Sequence, residues 1–203
     1  MTDALHPQPS RVNPILLQGF AWDLAADSRH WRLLTDNAAL LADAGFTAIW
    51  LPPAYKGQAG VDDVGYGVYD TYDLGEFDQK GAVPTKYGTK DEYLAAVAAL
   101  KAAGIDVMAD VVLNHRMGAD ASEDVLALEV DPANRYCPLG EPTEITVWTR
   151  FTFPGRAGAH SDFTWDWTCF HGTDWDEARH LAVLFSLKPI ILAAILAANL
   201  SSP

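Results

Sequence analysis

Three short apolar runs alternate with two segments of helical periodicity in the first half of the chain. The apolar runs, at residues 15–20, 46–51 and 105–113, predict three buried strands. Residues 31–44 carry apolar side chains at a spacing that forms one stripe along a helix. Strands that alternate with helices indicate parallel pairing through right-handed crossovers, so the pattern predicts an α/β fold.

The start and the end of the second helix are marked in the sequence. Thr89 followed by Glu92 is the pattern of a capping box, in which the two side chains bond each other's backbone N–H groups. Gly104 is suited to the turn that ends the helix. We therefore expect a helix from Thr89 to Gly104 that leads directly into the third strand.

Both a doubly wound sheet and a (β/α)8 barrel begin with this order of elements. The turn after the first strand, residues 18–30, contains neither a Gly-x-Gly-x-x-Gly motif nor a Walker motif. A doubly wound fold that binds nucleotides is therefore the weaker alternative.

Three segments depart from the strand and helix pattern. Residues 54–88 predict a long loop, which is usually functional or disordered, and its Tyr and Phe content argues against disorder. Residues 116–179 are irregular and rich in aromatic side chains, which indicates a small inserted subdomain. Residues 181–200 are almost wholly apolar but contain Lys188 and Pro189, so the alternatives are an aberrant terminus and a membrane tail.

Asp110, Asn114 and His115 stand at the end of the third predicted strand. Polar groups in an apolar run are costly to bury without a role, and barrel enzymes build their sites at the carboxyl ends of strands. These residues are therefore candidate site residues. Taken singly, Asp110 has the alternative interpretation of a satisfied buried carboxylate, and His115 that of an ordinary loop histidine.

Composition narrows the class of partner. Apolar residues make up 49% of the 203-residue chain, which is typical of a globular protein. The net charge of −13 argues against nucleic acid or an anionic membrane surface as partner.

Two cysteines, Cys137 and Cys169, form no disulfide framework or zinc motif. The first 14 residues contain no apolar signal region, so we expect a cytoplasmic protein.

Several motifs together identify a family resemblance. They are, in chain order, residues 48–57 (AIWLPPAYKG), 63–70 (DVGYGVYD), 72–77 (YDLGEF), 86–90 (KYGTK), 110–115 (DVVLNH), 153–156 (FPGR) and 172–177 (GTDWDE). In this order they resemble the N-terminal part of α-amylases of glycoside hydrolase family thirteen, of the bacterial liquefying type and its intracellular relatives. The resemblance covers about residues 15–179.

The resemblance implies the fold and the activity. It implies a (β/α)8 TIM barrel, represented by its first three strands and two helices, with part of domain B inserted after the third strand. It also implies hydrolysis of internal α-1,4 bonds in starch or glycogen with retention, which requires two carboxyl groups about 5 Å apart. The partner would be an α-1,4-glucan, and the cofactor would be calcium.

The resemblance also implies a role for each matching residue. Tyr66 matches the aromatic platform under the sugar beside the scissile bond, and His115 matches the imidazole that bonds this sugar. Asn114 matches a calcium ligand, and an amide oxygen suits this hard cation. Asp110 matches a supporting carboxylate that orients its neighbours and is not the nucleophile. Tyr66 taken alone has the alternative interpretation of loop packing.

Two departures from the family pattern bear on function. His171 stands where calcium-rich members carry an Asp, which puts a second metal cluster in doubt. No Gly-Phe-Arg-Leu-Asp-like segment with the nucleophile occurs, and the segment with the general acid is also missing. The alternatives to an active amylase are therefore an inactive fragment that binds glucan weakly and a non-enzyme attached to a membrane by its tail.

These observations divide the chain into four parts. We expect a flexible N-terminus at residues 1–14, the first βα units of a barrel at 15–115, part of domain B at 116–179, and an atypical apolar tail at 180–203.

Overall fold

The computed structural model describes residues 14–187 and contains the expected parallel sheet. Its strands are β1 (Leu16–Gln18), β2 (Ala48–Leu51) and, later in the chain, β5 (Asp106–Ala109), and its helices are α1 (His30–Asp43) and α2 (Lys90–Ala102). Strand β2 lies between β1 and β5 and pairs with both in parallel. Each helix connects two neighbouring strands, as the alternating pattern predicted.

The two helices form a core with the central strand. Trp31 and Leu34 of α1, Leu100 of α2 and Ile49 of β2 are buried in one cluster. The capping box predicted at α2 is present, because Thr89 accepts a hydrogen bond from the Glu92 backbone and Glu92 accepts one from the Thr89 backbone. The helices therefore cover one face of the sheet and fix its central strand.

The outer strands are more exposed than the sequence indicated. Residues 15–20 and 105–113 were predicted as buried strands, yet Leu16 and Met108 are exposed. Within the described residues, β1 and β5 each pair on one side only. In the part of this parallel sheet that the structure describes, β2 alone has a neighbour on each side, and an edge strand exposes more of its side chains than a central one.

The third strand ends earlier than predicted. It pairs with β2 up to the match of Ala109 with Leu51, and residues 110–115 lie beyond the sheet. Strand β2 ends there because Pro52 and Pro53 follow Leu51, and proline has no N–H to donate to a neighbouring strand. Asp110 is therefore the first residue after the strand and not a residue inside it.

The long loop between β2 and α2 is ordered by buried polar groups. It contains the short antiparallel pair β3 (Lys56–Gly57) and β4 (Val68–Asp70) and one 3-10 turn. The Lys56 ammonium is buried and donates to the carbonyls of Ala82 (2.6 Å) and Val83 (2.7 Å). It also lies 3.6 Å from Asp73 Oδ2. These contacts close the loop around one charged side chain.

The segment predicted to be irregular, residues 116–179, contributes most of an antiparallel sheet. The strands are β6 (Ala121–Asp131), β7 (Asn134–Pro138), β8 (Thr143–Arg150), β9 (Gly172–Thr173) and β10 (Phe185–Ser186). Strand β6 pairs with β7, β8 and β10. Its core contains Val125, Val147 and Phe185. The expectation of irregular structure is wrong, and we name this part the inserted sheet.

A buried ion pair joins the inserted sheet to the long loop. Arg156 follows β8 in the chain, and its Nε donates to Asp70 Oδ2 of β4 over 2.8 Å. Both side chains are almost fully buried. Gln79 donates to the same Asp70 oxygen over 3.0 Å. Replacing either residue alone is costly, because the charge that remains would be buried without a partner.

The predicted N-terminal segment and most of the apolar tail lie outside the described residues. These are residues 1–13 and 188–203. Within residues 14–187, no helix has the length and apolar character needed to cross a membrane.

The first testable prediction concerns the buried ion pair. Arg156→Met leaves Asp70 buried without its guanidinium, and we expect the free energy of unfolding to fall by about 3–5 kcal/mol. Urea denaturation followed by circular dichroism measures this change. The matched control is Arg150→Met, which removes an exposed arginine 3.8 Å from Glu123 and should cost less than about 1 kcal/mol. Equal stability of the two variants would contradict the role of the pair.

Candidate functional site

The site residues predicted from the sequence meet beyond the carboxyl ends of β2 and β5. Asp110 Oδ2 accepts hydrogen bonds from the Tyr66 hydroxyl (2.7 Å) and from Trp50 Nε1 (3.2 Å). His115 Nε2 lies 2.7 Å from the backbone oxygen of Tyr66. Three separate stretches of the chain are thus joined by side-chain hydrogen bonds at one place.

The position of Tyr66 is set by the turn around it. Gly65 has φ of +97°, a conformation that side chains rarely adopt, and a Cβ there would lie 2.7 Å from Pro53. Asp63 Oδ1 accepts from the backbone N–H groups of Gly65 (2.8 Å) and Gly67 (3.1 Å). The carboxylate of Asp63 therefore holds the backbone on both sides of Tyr66.

A buried tyrosine, Tyr55, holds the segment that carries Asp110 and His115. The Tyr55 hydroxyl accepts from the backbone N–H of Val112 over 2.9 Å. Burial raises the pKa of Tyr55, so the phenol stays protonated at neutral pH. Leu113, between this contact and His115, is 84% exposed, so the end of the segment points away from the core.

The aromatic face of the site includes a residue that the sequence analysis missed. The indole of Trp22 stacks on the Tyr66 ring, with centroids 5.7 Å apart and planes at 10°. Trp22 is 62% exposed. It follows the carboxyl end of β1 by a few residues, so the edge rule that pointed to Asp110 also applied to Trp22. Stacked aromatic rings with open faces are suited to apolar faces of a ligand.

The protonation of these groups follows from their contacts. The backbone oxygen of Tyr66 only accepts, so His115 Nε2 carries the proton, and Nδ1 of a neutral ring is left as an acceptor. Burial, the hydrogen bond to Asp110 and the negative charge of Asp110 raise the pKa of Tyr66 to about 12. The phenol therefore remains a donor to Asp110 across the physiological range. Asp110 is half-buried, less than the buried carboxylate that the resemblance implied.

The residues described do not fit a calcium site by themselves. Asn114 is exposed on the segment after β5. Within residues 14–187, no group of three or more His, Cys, Asp or Glu side chains is placed to hold a metal ion. Calcium takes six to eight oxygen ligands, and one amide supplies only one of them. His171, which stands in place of a family Asp, contributes its backbone oxygen to Leu187.

The remaining aromatic residues fall into two groups. Tyr69 and Trp165 pack in one cluster with Phe151 and Phe153. Tyr72, Trp148 and Trp167 are exposed.

Comparisons with known proteins show the family of this chain. The family model for the α-amylase catalytic domain matches residues 28–136. An α-amylase of Bacillus licheniformis is 51% identical over 179 residues, which are 88% of this chain and 35% of that protein. A cytoplasmic α-amylase of Escherichia coli is 49% identical over 81% of this chain and 33% of its own length. The chain thus spans about a third of the length of these two relatives.

A comparison with solved structures supports the same fold. A truncated alternansucrase from Leuconostoc mesenteroides superposes with a TM-score of 0.59 and 26% identity, over 68% of this chain and 13% of that chain. The prediction of an α/β fold with the first part of a (β/α)8 barrel is confirmed by the family match and by this superposition.

The second prediction tests the bond between Tyr66 and Asp110. Asp110→Asn removes both the charge and the strong acceptor, so the pKa of Tyr66 should fall from about 12 toward its ordinary value of 10. Because the folded-state pKa is raised, this stabilisation is complete below pH 10 and is lost as the pH rises to about 12. The variant should therefore lose less stability across that range.

NMR titration of ring-labelled tyrosines measures the pKa, and Tyr66→Phe assigns the resonance. Tyr93 serves as an internal control, since burial raises its pKa and Tyr66 and Asp110 do not contribute. An unchanged pKa of Tyr66 in Asp110→Asn would refute the assigned contact.

Proposed function

Because the chain belongs to the α-amylase family, we propose that it forms the first part of the sugar-binding site of an enzyme that hydrolyses internal α-1,4-glucosidic bonds of starch or glycogen. The observation that carries this proposal is the contact of Tyr66 with both Asp110 and His115. In this proposal, residues 15–115 belong to the barrel and residues 116–179 belong to domain B.

Tyr66 and Trp22 would bind a sugar through their rings. The Trp22 indole is exposed and stacks on the half-buried Tyr66 ring, and the apolar face of a pyranose packs on exposed aromatic side chains of this kind. His115 would orient the same sugar, because its Nδ1 is free to accept from a hydroxyl while Nε2 is held by Tyr66. Asp110 keeps the phenol in place through a charge-assisted hydrogen bond.

Bond cleavage requires groups beyond these residues. A retaining glycosidase uses one carboxylate as nucleophile and one carboxylic acid as proton donor, about 5 Å apart. Asp110 accepts from two protein donors and acts as a positioning residue. We therefore propose that residues 1–203 by themselves bind glucan without turnover.

The calcium role of Asn114 and the cellular location are parts of the same proposal. Asn114 would supply one oxygen ligand at the junction of barrel and inserted sheet, and carboxylate, carbonyl or water oxygens would complete the coordination. A cytoplasmic location is supported by the similarity to the cytoplasmic enzyme of Escherichia coli.

The third prediction concerns glucan binding by the site. We expect maltohexaose to bind the chain in isothermal titration calorimetry and cellohexaose, with β-linked sugars, to bind more weakly. Tyr66→Ala removes one ring of the platform and should weaken binding by about 1 kcal/mol, or roughly fivefold.

The control is Tyr136→Ala, because Tyr136 is exposed on β7 of the inserted sheet. Equal loss in the two variants would show that the ring of Tyr66 is not the contact. Absence of binding by the unmodified chain would refute the proposed sugar site.

The fourth prediction concerns turnover. Purified residues 1–203 with soluble starch and calcium should release no reducing ends, because the sequence lacks the family segments that carry the two carboxyl groups of double displacement. Any activity in the preparation should be the same in Tyr66→Ala if it comes from a contaminating amylase. Turnover that disappears in Tyr66→Ala would overturn the proposal that this chain binds without cleaving.

A further inference from the structure

A second pocket lies between the loop after β4 and the segment after β8. It has a volume of about 230 Å³ and is lined by Tyr72, Arg116, Arg156, Ser161, Phe163 and Trp165 among others. We call it the arginine pocket. None of its lining residues is Tyr66, Asp110 or His115, so it is separate from the candidate sugar site.

Arg156 brings an unused donor group to this pocket. The residue is 3% exposed, its Nε donates to Asp70, and its Nη1 donates to the backbone oxygens of Ala159 (2.7 Å) and Ser161. Nη2 makes no hydrogen bond with the described residues. A guanidinium has five N–H donors, and Nη2 is not fully buried, so it can be reached from the pocket. The two N–H groups of Nη2 are therefore available to a ligand.

Arg116 is held rigidly on another wall. Its Nη1 donates to the Tyr69 backbone oxygen (3.1 Å), and its Nη2 donates to Thr71 Oγ1 (3.3 Å). The guanidinium lies 4.5 Å from the centre of the Trp165 ring. These contacts fix the plane of the guanidinium and use only two of its five N–H donors. A preorganised arginine loses little freedom when it binds a ligand.

The lining favours an anion over a neutral sugar. The hydroxyl groups of a neutral sugar need acceptors as well as donors, yet no lining residue carries a carboxylate or amide side chain. Thr71 Oγ1 and Ser161 Oγ already accept hydrogen bonds from the protein. Asp70, the nearest acidic partner of Arg156, is buried and saturated by protein donors. Two guanidinium groups with spare donors are suited to an oxyanion.

The aromatic walls suit the body of such a ligand. Tyr72 and Phe163 are exposed at the pocket, and Phe163 is 57% exposed. The pocket is smaller than the sites of drug-sized ligands, which hold several rings. We propose that the arginine pocket binds the phosphate group of a small sugar phosphate, with the sugar ring against the exposed Tyr72 and Phe163, where its hydroxyl groups face solvent and need no acceptor from the lining.

The pocket and the sugar site are adjacent in the chain but independent in their contacts. Arg116 directly follows His115, yet its donors reach Tyr69 and Thr71, whereas His115 reaches Tyr66. A sugar phosphate at the arginine pocket therefore does not require the proposed glucan site to be correct.

Isothermal titration calorimetry of the full chain tests the proposal with three probes: glucose 6-phosphate, inorganic phosphate and glucose. We expect glucose 6-phosphate to bind most tightly, inorganic phosphate more weakly, and glucose not at all at millimolar concentration. Added salt should weaken both anions, because the attraction between charges is screened. Binding of glucose equal to that of glucose 6-phosphate would overturn the anion site. Equal affinity for inorganic phosphate would overturn the role of the aromatic walls.

The decisive variants form matched pairs. Phe163→Glu places a carboxylate at the pocket on an exposed position and should weaken glucose 6-phosphate binding about tenfold or more. Phe163→Gln has the shape of the Glu variant without its charge and should lose only the smaller contribution of the ring contact. Arg116→Gln should lose binding, and Arg150→Gln, which removes the same charge outside the pocket, should not.

Circular dichroism confirms that each variant is folded, and Tyr66→Ala should bind glucose 6-phosphate as the unmodified chain does. Equal effects of the two Phe163 variants, or of the two arginine variants, would overturn the proposal. Loss of binding in Tyr66→Ala would place the anion at the glucan site instead.

Discussion

The buried ion pair between Arg156 and Asp70 is the constraint on which the arrangement of the two sheets depends. It does not stand alone, because Gln79 donates to Asp70 and to Asp73, and Asp73 lies against Lys56. Charges in a low-dielectric interior are tolerated only when each has its partners. The network therefore admits one arrangement of the loop, and a displacement of any member would leave a charge without its counterpart.

This network explains how a long loop remains ordered with little regular structure. The connection from β2 to α2 contains only the two short strands β3 and β4, whose ladder provides few backbone hydrogen bonds. The buried ammonium of Lys56 replaces that ladder, because it bonds several carbonyl oxygens of the loop at once. The same loop carries Tyr66, so the position of the candidate sugar platform depends on a fully buried lysine.

The sequence predicted those elements that depend on neighbouring residues. It was less informative about elements that depend on contacts with residues far away in the chain. Thr89 and Glu92 predicted the start of α2 because a capping box needs only residues three apart. The end of β5 was misplaced because it depends on Pro52 at the end of a neighbouring strand. The inserted sheet was missed because β6 buries Val125 on one face and Leu128 on the other, which hides the two-residue period.

In the candidate site, too, some features follow from local sequence and others from contacts between distant residues. Side-chain hydrogen bonds hold the site residues in place although the described part of the sheet has free edges. Asp110 and His115 were predictable from their place after an apolar run, but the stacking of Trp22 on Tyr66 depends on contacts that no local pattern contains. Strands β1 and β5 have free edges within the described residues, so the sheet alone constrains the segment after β5 weakly. The bonds from Trp50 and Tyr66 to Asp110 supply that constraint from side chains. The relative positions of Tyr66, Asp110 and His115 are therefore fixed by contacts within β2, β5 and the loops that follow them.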